Sequence, residues 1–472
     1  MSEKRFLGID IGTTSLKAAV FDESGARLAL KSVDYTLSTD GATGAIEFDA
    51  ETYFTMCRDV IDALLSECGK IDGISVDTQG ETLILADKEG APLAPAVVWL
   101  DNRATAEAEE IRAAFGNKAV YDVTGQPEIV AGWPAAKLLW FRRHRPDLFE
   151  RAERIFLLED WILYRLTGNF VTEPTIQSST LYFDIRNLCW WREMLDFLGV
   201  PEEKLPKIIP SSTKVGTYRG IPVVSGMLDQ IAGTLGAGAT GKDVISEMTG
   251  TIMAICAMTD EIPPFSPESI VPCHVHAVKG KYCRIIASST AGMALKWFRN
   301  QLAENFSFKE LDTLAAAVPA GCEGLTFLPH FCGSFVPRYN PDAHAVIAGL
   351  TLTHTRGHIA RAIMEAIAFN LKQILDLLPD KVREIRITGG GAASPLWAGI
   401  KADVTGRVLK TLCESETACL GAALSAAVGV GAFPDLVTAA DTVVKTDRSF
   451  APTDADYREA FERYCALDAR MN

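Results

Sequence analysis

The chain has 472 residues, 48% of them apolar and 22% charged, with a formal net charge of −14. That length exceeds what one hydrophobic core usually supports, so two domains are expected. The acidic balance excludes a general nucleic-acid binder, which would show a basic face, and no apolar run approaches a membrane span. Eleven cysteines occur without a Cys-x-x-Cys pair, and most read as small buried hydrophobes rather than a disulfide or zinc framework. The first apolar strand begins at Phe6, which leaves no room for a secretory leader, so a reducing, cytoplasmic location is expected.

In chain order, "RFLGIDI", "LKAAVFD" and "ARLALKSVDY" read as three strands separated by the turns "GTTS" and "ESG". "ETYFTMCRDVIDALLSEC" has helical periodicity, and "IDGISVDT" returns to strand. Antiparallel strands followed by alternating helix and strand predict an α/β layered domain. A mostly helical middle, with "AAKLLWFRRH" and "DWILYRLTG", leads to the strand "GIPVVSG" and a helix from Asp229. "GAGATG" (Gly236, Gly238, Gly241) fits G-x-G-x-x-G but follows helical residues, so it reads as a connection between lobes. No G-x-x-x-x-G-K-[ST] occurs, which excludes a P-loop enzyme. "CHVH" (Cys273, His274, His276) would be half a metal site with no second cluster, and a strand with two outward histidines is expected. "EIRIT" runs as a strand into Gly389, Gly390 and Gly391, with a helix starting near Ser394 and Pro395.

The two halves repeat a short pattern. "GTTSLKAAVFD" from Gly12 lies over "GTIMAICAMTD" from Gly250 with one constant offset: Gly12 on Gly250, Thr13 on Thr251, Asp22 on Asp260. Each is a Gly-Thr turn between two strands, at the start of each half, which points to duplication of one lobe. Asp10 aligns with Met248, so only the first lobe carries a carboxylate there.

A Gly-Thr turn can aim backbone N–H groups and hydroxyls at a phosphate, and glycine permits the close approach. Two such turns across a cleft would grip a polyphosphate, and Asp10 would hold the accompanying Mg²⁺. A plain hairpin turn would also account for "GTTS" taken alone. The third glycine cluster, a strand leading through bare glycines to a helix N-terminus, suits a nucleotide's phosphates or ribose. Asp229, at the start of a helix after "VVSGML", is either an N-cap or a general base at a cleft edge. Gln79 and Glu81 of "DTQGETLIL", with Trp99, Asp101, Asn102 and Arg103 of "VVWLDNRAT", follow two strands. Their amide, carboxylate and guanidinium groups suit a polyol, although each cluster could equally be a surface turn.

Together these motifs resemble the FGGY carbohydrate kinases, the group of glycerol kinase, xylulokinase, fuculokinase and ribulokinase. "GIDIGTTSLKAAVFD" is similar to the family's first phosphate loop, and "VSGMLDQIAGTLGAG" to its catalytic segment. "MTGT" resembles the second phosphate loop, "GGGAASPLWAGIKADVTG" the adenosine loop, and "ETACLGAAL" the closing helix. The resemblance implies an α/β fold of two RNase H-like lobes, of the actin and Hsp70 type, closing on ATP and a sugar. Residues 1–240 would form the sugar-binding lobe with a helical insertion, and 241–472 the nucleotide-binding lobe. Asp229 would be the base, with Asp10 and Asp229 beside Mg²⁺. Gly12, Thr13, Thr14, Lys17, Gly250 and Thr251 would serve the phosphates, and Gly390, Gly391 and Ala392 the adenosine. Gln79, Glu81, Asp101, Arg103, Trp133 and Gln230 would meet the sugar. Gly80 stands where glycerol kinases carry arginine in "Gln-Arg-Glu-Thr", which widens the pocket and favours a longer sugar than glycerol. Glu81 replaces a histidine common in xylulokinases, Pro395 an Asn or Glu of the adenosine loop, and "CGSFVPR" a "Ser-Gly-Glu-Arg". The expectation is an ATP-dependent kinase of a pentulose. Another hexulose or polyol kinase, and an actin- or Hsp70-like ATPase without sugar activity, stay open as alternatives. The implied partner is a small sugar, with no nucleic acid and no membrane; a second copy of the chain is a further candidate.

Overall fold

Two large sheets with one shared strand order dominate the molecule, seen in a computed structural model that describes residues 4–267, 271–378 and 381–471. Strands β1 (Arg5–Ile11), β2 (Ser15–Asp22) and β3 (Arg27–Asp34) make an antiparallel meander. Helix α1 (Ala50–Cys68), capped by Asp49 accepting from the Thr52 N–H, returns the chain to β4 (Gly73–Thr78), parallel to β1. A long insertion follows. It contributes three strands to a smaller sheet, completed by two short strands from ahead of α1, and several helices, among them α2 (Pro134–His144). The chain then enters β5 (Ile221–Leu228), parallel to β4, and helix α3 (Asp229–Gly236).

The second half repeats the plan. Strands β6 (Val244–Thr249), β7 (Met253–Thr259) and β8 (Tyr282–Ser288) form a meander. Helices α4 (Gly292–Leu302) and α5 (Phe308–Ala316) precede β9 (Glu384–Thr388), α6 (Pro395–Thr405), β10 (Val408–Leu412) and α7 (Thr417–Gly429). The strand orders are β3-β2-β1-β4-β5 and β8-β7-β6-β9-β10, each extended by short edge strands. In each sheet the first strand pairs antiparallel with the second and parallel with the fourth. The repeated Gly-Thr turn is therefore the visible trace of a repeated lobe. Each lobe has its own apolar core. No helix among the described residues is long and apolar enough to cross a membrane.

The lobes are joined through backbone contacts that only glycine allows. Helix α7, from the second half, lies across β1, β4 and β5 and against α3. A Cβ on Gly421 would stand 2.0 Å from the Ala232 carbonyl oxygen, and one on Gly236 1.8 Å from that of Thr417. The same is true beneath the helix, where a Cβ on Gly8 would lie 1.8 Å from the Cys419 oxygen. Such an approach lets α3 and α7 cross backbone to backbone, at the expense of tolerating any side chain there.

The "CHVH" segment corrects one expectation. Cys273–Val275 is indeed an edge strand, but His274 and His276 are buried, at 4% and 2% exposure, not outward. The first lobe's insertion covers this edge: the Gly125 carbonyl accepts from the Cys273 N–H (2.9 Å) and Ser178 Oγ from the Val275 N–H (3.0 Å). Burial pushes both imidazoles down to about 4. No cluster of three metal-ligating side chains occurs among the described residues.

Two predictions follow from the packing. Gly421→Ala forces α3 and α7 apart and is expected to destabilise by about 1–3 kcal/mol, read as a lower thermal midpoint. Acid has a signed effect through the histidines. Their folded values lie below the ordinary 6.5, so from there down to about 4 the unfolded chain gains protons that the fold refuses. Stability contributed by each histidine is present above 6.5 and is lost as pH falls, by about 2 kcal/mol near pH 5. His274→Gln should therefore flatten the fall of the unfolding midpoint between pH 7 and pH 5; an unchanged slope would count against a neutral buried His274.

Candidate active site

Three carboxylates meet where β1, β4 and β5 end. Parallel pairing of β1 with β4 sets Asp10 beside Asp77, and Leu228 pairs with Thr78, so Asp229 follows on the third strand. The corresponding positions of the second sheet are Met248 and Thr388, which makes this acidic edge a property of one lobe. A register shift between Val224 and Met227 helps to aim Asp229. At this bulge Gly226 lies against β4, where a Cβ would come 1.8 Å from the Val76 carbonyl oxygen. Glu159 accepts from the Gly226 N–H (2.9 Å) and Thr175 Oγ1 from the Leu228 N–H (2.8 Å), so the irregular strand leaves no donor unmet there.

Asp77 is fully buried, its carboxyl within hydrogen-bonding reach of Asp10 and with no other side-chain or backbone donor. Asp10 and Asp229 are half-buried, and Asp229 accepts from the Gln230 N–H at 2.7 Å. Burial, and then the charges of Asp10 and Asp229, hold Asp77 well above the usual carboxylate range. Burial and the charge of Asp10 do the same to Asp229. Asp10 is pushed up to about 6 by burial, against the pull of Asp77 and Lys17. Lys17, opposite Asp10 on β2, is engaged elsewhere, 2.8 Å from Glu416. No three of these side chains stand in metal-holding geometry, but Mg²⁺ is commonly held by one or two carboxylates with water and phosphate oxygens completing its shell, and the Asp10–Asp77 pair fits that pattern.

The first Gly-Thr turn follows directly on the strand that carries Asp10. The Gly12 N–H donates to the Ser15 carbonyl (3.0 Å), and Tyr35 Oη donates to the Gly12 carbonyl. Thr13 Oγ1 accepts from the Trp99 indole N–H at 3.0 Å, while Thr14 is exposed. In the second lobe the Gly250 N–H donates to the Ile252 carbonyl (2.9 Å). Gly292, Gly389 and Gly391 crowd this turn, their would-be Cβ atoms 2.5–2.7 Å from Gly250 or Thr249 atoms. Beneath it Lys401 donates to Glu247 (2.9 Å) and Thr249 Oγ1 (2.6 Å), a buried network that fixes β6 against α6. Gly250, Thr251, Gly390 and Gly391 line a cavity of about 890 Å³ whose far wall is α4 and α5. Its size suits a nucleotide-sized ligand. Pro395 and Ala393 line it; Ala392 instead packs against the second core, its carbonyl accepting from Arg448 (3.3 Å).

The polyol-binding candidates divide into two groups. Glu81 and Gln230 are half-buried near Asp229, and the Glu81 charge contributes to the high Asp229 value. Glu81 has a left-handed backbone (φ 56°), unusual for a residue with a side chain. Its carboxyl is raised by burial, with Ser179 and Lys137 opposing. Gln79 is buried, its Nε2 donating to Tyr53 Oη at 3.0 Å. The second group is occupied by internal bonds. Asp101 is fully buried and accepts from the Ile46 N–H (2.7 Å) and from Arg103. The Arg103 guanidinium also reaches Glu47 at 2.6 Å and stacks on Trp140. Trp133 donates its indole N–H to the Glu128 carbonyl (2.8 Å). The room expected from Gly80 is partly taken, since a Cβ there would be 3.0 Å from Leu228 Cδ1.

Sequence reasoning missed Asp77, Glu159 and Lys137. Each carries a signal of the kind that exposed Asp10: a charge inside an apolar run, in "GISVDT", "FLLEDWIL" and "AAKLLWF".

Comparison with known proteins gives the lineage. The N-terminal domain of the FGGY family of carbohydrate kinases matches residues 5–236, and its C-terminal domain residues 254–430. A xylulose kinase of Lactococcus lactis is 28% identical, covering 94% of this chain and 92% of its own. Glycerol kinase 2 of Streptomyces avermitilis is 29% identical, covering 92% and 90%. The crystal structure of a gluconate kinase from Lactobacillus acidophilus superposes with a TM-score of 0.92 at 27% identity, covering 99% of this chain and 98% of that one. With two lobes of one strand order around an acidic strand edge, and both family domains matched in order, the chain belongs to the FGGY family of carbohydrate kinases.

Proposed function

We propose that the protein phosphorylates a terminal hydroxyl of an uncharged ketose, of pentulose size, using ATP and Mg²⁺. The observation that carries this reading is the position of Asp229, which shares one strand edge with Asp10 and Asp77 and neighbours Glu81 and Gln230. The xylulose kinase among the relatives accords with it. A sugar-independent ATPase leaves the polyol-suited groups around Asp229 without a purpose.

The choice of a neutral sugar rests on charge. Arg103 is bound to Asp101 and Glu47, Lys17 to Glu416, and Lys137 to main-chain carbonyls. The groups left facing Asp229 are a carboxyl and an amide, which pair with hydroxyls. A sugar acid would bring another negative charge to an edge that already holds three carboxyls, with no such cation spare to receive it.

In this reading Asp10 and Asp77 would hold Mg²⁺, which when bound supplies neutralisation of phosphate charge. Asp229 accepts the proton of the attacking sugar hydroxyl as its oxygen bonds to the γ-phosphorus and ADP leaves. Gln230 and Glu81 hold neighbouring hydroxyls so that the attacking one faces the phosphate turns. Closure of the lobes excludes water, the competing acceptor.

Two outcomes are expected in a coupled ADP-release assay. Asp229→Asn should lower kcat by about 10²–10⁴-fold while ADP affinity, measured by calorimetry, stays near the wild-type value; near-normal turnover would remove Asp229 from the role of base. Across pentuloses, hexuloses, alditols and aldonates, a ketose should give the highest kcat/KM, with gluconate lower by about 100-fold or more. Preference for gluconate would refute the charge argument.

A further inference from the structure

Lys137 is 1% exposed, in the middle of "AAKLLWF" on α2, and the proposed chemistry gives it no part. A buried ammonium is costly unless its donors are met. Here Nζ donates to the main-chain carbonyls of Glu81 (2.9 Å), Val98 (2.9 Å) and Val97 (3.4 Å). These carbonyls belong to two separate segments. One is the turn after β4, where Glu81 keeps its left-handed backbone beside Asp229. The other leads directly into Trp99, whose indole N–H donates to Thr13 Oγ1 in the first phosphate turn. The chain leading into the same helix presses on this second segment: a Cβ on Gly132 would lie 2.6 Å from the Trp99 carbonyl oxygen.

We infer that Lys137 is a positioning residue for the sugar site, pinning the Glu81 turn and the Trp99 segment to each other from behind so that both are set before substrate arrives. The inference rests on the sugar-kinase reading above. A left-handed residue with a side chain persists only where its surroundings hold it, and the hydrogen bond to the Glu81 carbonyl fixes the peptide plane that follows it. Lys137 bonds to the backbone and its charge also favours the ionised Glu81 carboxyl, so a neutral side chain of similar length fills the space without performing either task. Misplacing a substrate-positioning group by about 1 Å costs on the order of 100-fold in rate.

The test compares Lys137→Met and Lys137→Ala with the wild-type protein on its best ketose. Lys137→Met should raise the sugar KM by about 10- to 100-fold, with a smaller change in kcat and an unaltered KM for ATP. Lys137→Ala should regain part of its kcat/KM when ethylammonium is added, and none with tetramethylammonium, which cannot donate to carbonyls. Far-UV circular dichroism and the thermal midpoint establish that each variant is folded, and the amine rescue remains decisive if Lys137→Met is not. Equal losses for sugar and ATP, or a wild-type sugar KM, would overturn the inference while leaving the kinase reading intact. A wild-type protein that turns over no sugar at all would defeat the kinase reading and this inference with it.

Discussion

Three carboxyl groups at the ends of neighbouring strands, whose neighbouring cation Lys17 is already paired with Glu416, are the constraint on which the molecule depends. Like charges in a partly dry edge repel strongly, and the cheapest local response is to hold protons. Asp77 shows the tension most plainly, since it is fully buried against another carboxyl, that of Asp10. A protein built for stability alone would place Met and Thr there, as the second lobe does at Met248 and Thr388. The departure from that pattern in one lobe only is what the proposed binding of a divalent ion and phosphate oxygens would explain.

The rest of the fold keeps this edge in register with a second lobe. Parallel pairing of β1, β4 and β5 brings together residues more than two hundred positions apart, and the bulge at Gly226 turns the last of them to face the other two. Helix α7 then clamps the back of the same strands, with glycine at its crossing with α3 and beneath Cys419. Glu416, just before that helix, holds Lys17 away from full pairing with Asp10. The second half of the chain therefore helps to set the electrostatics of the first. The buried Lys401–Glu247–Thr249 network performs a comparable service beneath the second Gly-Thr turn.

Much of this was legible in the sequence because it is local. The Gly-Thr turns, the strand into "GGGAASP" and the helix from Asp229 are each defined within a dozen residues, and duplication made them stand out. What stayed hidden is set by distance along the chain. Asp77 becomes a partner of Asp10 only through parallel pairing across an intervening helix, and Lys137 meets Glu81 and Val98 from 56 and 39 residues away. His274 and His276 read as outward because an edge strand ordinarily has a free face; the covering insertion comes from the other lobe. Asp101 and Arg103 have the chemistry of sugar ligands, but their geometry satisfies each other and Glu47. Residue type indicates what a site can do, and only the register of distant segments decides which side chains remain free to do it.

The central claim, that this strand edge is completed by a divalent cation, is tested most directly by the Mg²⁺ dependence of the ADP-release rate in the wild-type protein and in Asp77→Asn. The account predicts an absolute requirement for the ion and a half-saturating concentration raised by about tenfold or more in the variant, with metal-free ADP binding unchanged. Equal Mg²⁺ dependence in the two proteins, or full turnover in a chelator, would contradict it.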